Sequence, residues 1–369
     1  MTKNQLCCKI AKIYQGGLQM EQQNVLRQLP DALLPWYHEN KRQLPWREDK
    51  DPYHIWVSEI MLQQTRVEAV KGYYARFLEA LPTIADLANA DDELLYKLWE
   101  GLGYYSRVRN LKKAAVQIMS EYNGQFPKTH GQILKLAGIG EYTAGAIASI
   151  AFDIPTPAVD GNVLRVVSRL LNDPQPIDTP VFKKYVQEAL VKVYPASAGD
   201  FTQALMELGA TICGPNRKPD CHNCPCNGFC QANKKGTAEA LPVKLPKRTR
   251  RLEERTVFLL RCNGRYALEK RPNRGLLAGM WQLPNVSGRL DTQTVIAEVE
   301  NKGLKTSEIL VQVERKHIFT HIEWRMLGVL VEVTEENDAF TWMDMEQIRN
   351  EAALPTAFRQ FFEGIEFIG

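Results

Sequence analysis

A chain of 369 residues with 44% hydrophobic content is long enough for two or three domains and apolar enough to fill their cores. Its formal net charge of +3 permits a nucleic-acid partner without arguing strongly for one. No apolar run reaches the length of a bilayer span, and the opening MTKNQLCCKIAKIYQGG lacks the apolar core and cleavage site of a secretory signal.

The expectation is therefore a soluble, cytoplasmic protein of a reducing compartment, nucleoid-associated if bacterial. Residues 1–29 are polar and Gln-rich and read as a flexible extension, with Cys7 and Cys8 as tail thiols. Residues 30–232 read mostly as helices. From Tyr53 to Ala80 the composition favours helix and holds no proline or interior turn cluster, so one helical stretch is expected. Glu59 stands in it, within the apolar run WVSEIML. Desolvated there, a carboxylate would hold its proton near neutral pH. Paired with Arg66 or Lys71 on a wet face, it would be an ordinary surface acid; taken alone, the residues favour that second reading. Further helices are expected at Asp91–Leu98, Ser106–Tyr122, Gly131–Lys135, Thr143–Phe152, Gly161–Leu171, Val181–Val193 and Phe201–Ile212.

Within LAGIGEYTAGAIASIAF, Gly138 and Gly140 precede a helix. Such glycines allow a tight turn and leave backbone N–H groups at a helix N-terminus, an anion site suited to a DNA phosphate. An ordinary corner between two helices has the same pattern. Downstream, AVDGNVLRVVSRL sets Asp160 just before another helix, where an N-cap is the commoner role. Two carboxylates, one protonated and one ionised, are what cleavage of a glycosidic bond requires. Glu59 and Asp160 are candidates for the pair.

Five of the eight cysteines fall within eighteen residues: Cys213, Cys221, Cys224, Cys226 and Cys230. So tight a cluster in a long chain points to a metal or iron–sulfur site rather than to disulfides. Cys213, Cys221, Cys224 and Cys230, with loops of seven, two and five residues between them, can reach one centre, which leaves Cys226 over. Four sulfurs suit zinc or a four-iron cluster, and spacing does not choose. Residues 233–253 read as a basic linker: Lys244, Lys247, Arg248, Arg250 and Arg251 stand with Pro242 and Pro246. Beyond it TVFLLRC, RYALEKR and EWRMLGVLVEVT alternate like strands, and Gln347–Asn350 and Thr356–Phe362 look helical. Residues 254–369 therefore read as a smaller α+β domain.

The segments LPWR, WVSEIMLQQTRV, EGLGYYSRVRNL and VDGNVLRV, with the hairpin and the cysteine loop, resemble the helix–hairpin–helix base-excision glycosylases. Within these they look like the adenine DNA glycosylase (MutY) family. The resemblance runs from Pro30 to the C-terminus. It implies an all-α glycosylase domain over residues 30–232 with a cluster loop at 213–230, followed by a Nudix-like α+β domain. It also implies a monomer that acts on double-stranded DNA and releases adenine mispaired with 8-oxoguanine or guanine.

The resemblance assigns residues as well. Glu59 matches the general acid and Asp160 the carboxylate that stabilises the sugar cation; Tyr142 and Asn162 match supporting positions. Gln64 matches a residue that inserts into the vacated stack, and Tyr104 one that wedges beside the oxidised base. Trp46, Arg47 and Gln203 match residues around the base pocket. Phe319, Thr320 and His321 match a loop that reads 8-oxoguanine, with Thr320 where serine is common. Cys213, Cys221, Cys224 and Cys230 match the ligands of a [4Fe–4S] cluster, although the first loop, which includes Arg217 and Lys218, is one residue longer than usual. Tyr142 stands where relatives that also cut the backbone carry a lysine, and a phenol cannot form their Schiff base. A monofunctional glycosylase is therefore expected. The alternatives are an endonuclease III-type glycosylase/lyase, a hairpin protein that binds DNA without catalysis, and a Nudix-type nucleotide hydrolase. The last is disfavoured because Glu298 and Glu300 near Gly303 do not complete the acidic pairs that would hold Mg²⁺.

Overall fold

The computed structural model describes residues 20–215, 218–246 and 249–363; Cys7, Cys8, Arg217, Lys247 and Arg248 lie outside them. Helices begin earlier than the polar composition of the first thirty residues implies. Helices α1 (Met20–Arg27) and α2 (Leu29–Asn40) bury Val25, Leu26, Leu29, Leu33 and Tyr37 in one core cluster. Pro30 is tolerated because it sits in the first turn of α2, where its missing N–H has no helical partner to lose.

A short 3-10 turn, Pro45–Arg47, leads to α3 (Pro52–Leu62), which Asp51 caps by accepting from the Tyr53 N–H at 2.7 Å. The single helix expected from Tyr53 to Ala80 is two. The chain turns between Leu62 and α4 (Val67–Ala80) because Gln64 lies at φ +59°, a conformation no right-handed helix contains. The Thr65 hydroxyl bonds back to the Gln63 carbonyl at 3.3 Å, a local bond of the kind that competes with helix.

The helices α5 (Ile84–Asn89), α6 (Asp92–Leu98), α7 (Ser106–Glu121) and α8 (His130–Ile133) follow. Then come α9 (Glu141–Phe152), α10 (Gly161–Leu170), α11 (Pro180–Val191), α12 (Ala198–Thr211) and α13 (Gln231–Lys234). In α3 every residue from Ile55 to Met61 is buried, and in α9 every residue from Thr143 to Ile150. Helices apolar all round belong in an interior, and α9 packs on both α3 and α12. The polar residues within that stretch of α3, Ser58 and Glu59, are therefore withdrawn from bulk water.

Two compact units result: residues 20–89 with 110–246, and residues 90–109 with 249–363. The second unit thus takes in more than the C-terminal segment read from composition. Its short N-terminal piece is tied to it by Lys97, which donates to the Arg349 carbonyl, by Arg359 with Glu100 at 3.3 Å, and by Arg109 donating to the Ala278 carbonyl at 2.6 Å. Nothing local in the sequence announces those partners.

The strands of the second unit are β1 (Arg251–Cys262), β2 (Arg265–Lys270), β3 (Trp281–Gln282), β4 (Asn285–Ser287), β5 (Thr306–Ile318), β6 (Ile322–Val333) and β7 (Thr341–Met343). Their order is β3-β2-β1-β6-β5, with β4 on β1 and β7 on β2. β1 and β6 run parallel, while β5 and β6 form a long antiparallel hairpin. Residues 256–260 of β1 are all buried because the sheet has a core on each face. Val257 and Leu259 face one, with Trp324 and Phe358; Phe258 and Leu260 face the other, with Val295 and Val299 of α14 (Thr292–Asn301). Two short helices, α15 (Met345–Asn350) and α16 (Thr356–Arg359), complete the described chain. The long strand β5, the helix α14 and the short strands β3, β4 and β7 are absent from the pattern reading.

Candidate active site

A cavity of about 190 Å³ opens in the first unit. That is below the span of drug-sized sites, about 300–1,000 Å³, and suits a single heterocycle. Glu59, Tyr142, Asp160, Asn162, Gln203 and Trp46 all line it, and so does Arg47. The expected acid and anion therefore meet, although 100 residues of chain separate them.

Glu59 projects from α3 and is only 6% exposed. The wet-face alternative fails; Lys71 pairs instead with Glu68 at 3.0 Å. Burial pushes the Glu59 carboxyl up to about 7. The Tyr142 hydroxyl donates to it at 2.6 Å, which favours the ionised form, whereas the charge of Asp160 disfavours it and that of Arg47 favours it. Burial wins, so the group exchanges its proton near neutral pH. The Tyr142 hydroxyl, itself buried, stays protonated far above its ordinary range.

Asp160 is the N-cap of α10, as its position suggested, and accepts from the Val163 N–H at 2.8 Å. Capping uses Oδ1; Oδ2 accepts from Asn162 Nδ2 at 2.6 Å. The cap and the cavity-lining role thus coexist in one carboxylate. Burial raises its pKa, and the bonds from Val163 and Asn162 work against that rise. Asn162 in turn needs Gly209 opposite it, since a Cβ there would lie 2.6 Å from the Asn162 Cβ.

Two further groups, one at the cavity and one behind it, have no counterpart in the sequence reading. Glu207, on α12, has a fully buried side chain clamped by two arginines. Arg42 reaches it through Nε at 2.6 Å and Nη2 at 2.9 Å, and Arg47 through Nη2 at 2.8 Å. Burial alone would raise the Glu207 carboxyl, but these guanidiniums hold it below the usual range. Arg165 is the other kind of surprise. Its Nη2 donates to Asn162 Oδ1 at 2.8 Å and to the Gly209 carbonyl at 2.8 Å, while Nε donates to the Cys213 carbonyl at 2.7 Å. A chain of hydrogen bonds therefore runs from Asp160 through Asn162 and Arg165 to the cysteine loop. The pairing of basic residues with distant acids and carbonyls has no signature in local sequence.

In that loop Cys226 and Cys230 are buried, with Cys213, Cys221 and Cys224 packed against the same core. Among the described residues, no three Cys, His, Asp or Glu side chains converge on one metal position. The donor set nevertheless suits a thiolate-held group in kind. The thiols lie close enough to influence one another's ionisation, Cys224 acting on Cys213, Cys221 and Cys230. Arg169 Nη1 also donates to Cys213 Sγ at 3.1 Å, the contact a thiolate would draw. Cys226 interacts through its thiol with Cys224, whose pKa it lowers.

The hairpin expected before α9 is present. Gly138 sits at φ +75°, where a Cβ would also meet Asn110 at 2.5 Å, and Gly140 is the N-cap, with no side-chain partner for the first N–H groups of α9. Those N–H groups and the positive end of the helix dipole favour an anion. Gln64 and Tyr104 are both exposed and both at positive φ, +59° and +49°. Non-glycine residues held so are strained, and strain of this kind clusters at working surfaces.

In the second unit Phe319, Thr320 and His321 form the tip between β5 and β6. Phe319 stacks edge-on against Trp324 at 4.9 Å, and the Thr320 and His321 side chains are exposed. The Tyr104 hydroxyl lies 3.1 Å from Thr320 Oγ1. These four residues, with Arg109 and Leu276, border a largely apolar cavity of about 500 Å³.

Comparison with known proteins bears on both units. A family model described as HhH-GPD superfamily base excision DNA repair protein matches residues 57–192, and one described as NUDIX domain matches residues 256–364. An adenine DNA glycosylase of Rattus norvegicus is 36% identical over 90% of this chain and 77% of its own length. Among solved structures, a thermostable thymine-DNA glycosylase shares 29% identity at a TM-score of 0.52, covering 57% of this chain and 98% of that one. A trapped endonuclease III–DNA covalent intermediate shares 25% identity at a TM-score of 0.50, covering 59% and 99%.

Proposed function

The chain belongs to the adenine DNA glycosylase family of base excision repair, and we propose that it hydrolyses the N-glycosidic bond of adenine mispaired with 8-oxoguanine or guanine, with Glu59 as acid and Asp160 as anion. The observation that carries this reading is the pair itself. One cavity of base size holds a carboxyl poised near pH 7 beside a carboxylate held by two hydrogen bonds.

The target base leaves the stack and enters the cavity; extrusion costs a few kcal/mol and is easiest at a mispair. Glu59 donates its proton to the adenine ring as the bond between the sugar C1′ and the base nitrogen breaks. The electron pair of that bond goes to the base, which departs neutral. Asp160, ionised, stands against the sugar cation that forms. Water then adds to C1′ and loses its proton to the carboxylate left behind on Glu59. Tyr142 orients Glu59 and Asn162 orients Asp160. Trp46 forms an apolar wall; Gln203 and the Arg42–Glu207–Arg47 cluster offer fixed donors and acceptors to the edge of the heterocycle. With Tyr142 in place of an amine there is no Schiff-base route, so strand cleavage is absent.

Gln64 fills the gap that the extruded adenine leaves, and the α9 N-terminus at Gly138 and Gly140 holds a backbone phosphate. Tyr104 with Phe319, Thr320 and His321 reads the opposite base. Cys213, Cys221, Cys224 and Cys230 hold a [4Fe–4S] cluster, which when bound ties the loop together and has no part in the hydrolysis. Arg165 connects that loop to Asn162 and so to Asp160.

The test is single-turnover base release from duplexes with adenine opposite 8-oxoguanine, guanine or thymine, with and without alkali. Fast release opposite 8-oxoguanine, slower release opposite guanine, and breaks only after alkali are expected. Strand cleavage without alkali, or equal release opposite thymine, would overturn the reading.

A further inference from the structure

The turn before α7 runs through three residues at positive φ: Gly101 at +98°, Gly103 at +69° and Tyr104 at +49°. Glycine adopts that region freely, but a tyrosine there is strained and persists only where its surroundings over-determine it. The Tyr104 ring is nevertheless 47% exposed, so burial does not hold it. Its hydroxyl meets Thr320 Oγ1 at 3.1 Å, and its backbone and ring face meet Arg107, in the first turn of α7 and only 8% exposed. Its Nη2 donates to the carbonyls of Leu102 at 2.9 Å and Gly103 at 3.0 Å. Its own backbone N–H donates to the Tyr104 carbonyl at 2.8 Å. The guanidinium carbon lies 5.2 Å from the Trp99 ring centre and 5.6 Å from that of Tyr104, within cation–π reach of both. Trp99 adds a second donor to the Gly103 carbonyl, Nε1 at 3.1 Å.

Burial lowers the Arg107 pKa to about 10, so the cation is fully formed at neutral pH. One guanidinium nitrogen reaches both carbonyls while the plane of the group faces the two rings; an ammonium on a flexible stem keeps the charge but not that fixed plane.

We propose that Arg107 is the positioning residue that presents Tyr104 to the oxidised base, and thereby sets the preference for 8-oxoguanine over guanine opposite the adenine. The inference rests on the reading of Tyr104 given above. Arg107 acts on the free protein: it holds the aromatic ring in its strained setting before DNA arrives, so that ordering it costs nothing at encounter.

The experiment compares the single-turnover rate opposite 8-oxoguanine with that opposite guanine, in wild type, Tyr104→Ala, Arg107→Met, Arg107→Lys and the Tyr104→Ala/Arg107→Met double variant. Active fraction is read from the burst amplitude. Tyr104→Ala narrows the ratio of the two rates. Arg107→Met narrows it by roughly tenfold, the scale set by one released backbone strain, and Arg107→Lys recovers part of the loss. In the double variant Arg107→Met adds nothing further. A purely structural role would lower the amplitude on both duplexes and leave the ratio alone. The proposal is overturned if Tyr104→Ala narrows the ratio while Arg107→Met does not, or if the two losses are additive. Should Arg107→Met yield no active fraction, a wild-type ratio in Arg107→Lys overturns it equally. An unchanged ratio in Tyr104→Ala removes the premise, the assignment of Tyr104, rather than the link between the two residues.

Discussion

Replacing Tyr142 by phenylalanine isolates the electrostatics of the acid. In the wild-type protein Glu59 has a pKa of about 7. As a general acid it must be protonated, so the rate falls as pH rises through that value. About ten in eleven molecules carry the proton at pH 6 and about one in eleven at pH 8, which predicts about a tenfold fall. The Tyr142 hydroxyl, 2.6 Å from Oε2, donates to the ionised carboxylate and so lowers that pKa. A hydrogen bond to a charged group contributes about 1.5–3 kcal/mol, and part of it survives when Glu59 is protonated. Its loss should move the alkaline limb to about pH 8, since one pH unit is about 1.4 kcal/mol. The acidic limb belongs to Asp160, which must be ionised; burial raises it above the ordinary aspartate range, and removing the Tyr142 hydroxyl leaves its bonds to Val163 and Asn162 intact. The assay is the single-turnover rate at saturating enzyme from pH 5 to 9.5. An alkaline limb that stays put or moves down in Tyr142→Phe would refute the assignment of Glu59 as the titrating acid.

Three other outcomes follow from the same geometry. Between its ordinary value near 4.5 and about 7, Glu59 binds more protons folded than unfolded, so stability is lost as pH rises through that window. Glu59→Gln should therefore abolish base release yet stabilise the protein at pH 8 by up to about 3 kcal/mol, and by little at pH 4.5, as melting at the two pH values would show. Glu207→Leu leaves Arg42 and Arg47 clustered without their shared acid and should cost about 3–5 kcal/mol in denaturant unfolding; a loss below 1 kcal/mol would mean that the ion cluster is not maintained in solution. Arg165→Gln breaks the link from Asn162 to the Cys213 carbonyl. Single-turnover rate should drop while duplex affinity and the iron and sulfide content stay at the wild-type level.

The sequence was most legible where chemistry imposes spacing on neighbours. Cys213 to Cys230 fall in one loop and pack against one core, and the Gly138–Gly140 turn is local backbone geometry. Asp160 was equally readable as a cap, because a cap is a relation between residues three apart. The break at Gln64 was not, since helix-forming composition runs straight through a turn that one left-handed residue creates.

Tertiary structure alone decided the rest. A carboxylate in WVSEIML has the same letters whether wet or dry, and only the packing of α3 against α9 buries Glu59 and moves its pKa to about 7. Glu207 looks like any helical glutamate until Arg42 and Arg47 converge on it from more than 150 residues away. The same holds for residues 90–109, whose place with the C-terminal sheet depends on Arg349, Arg359 and Ala278. Local backbone preferences are written in adjacent residues; desolvation and ion pairing are properties of what the fold brings next to them.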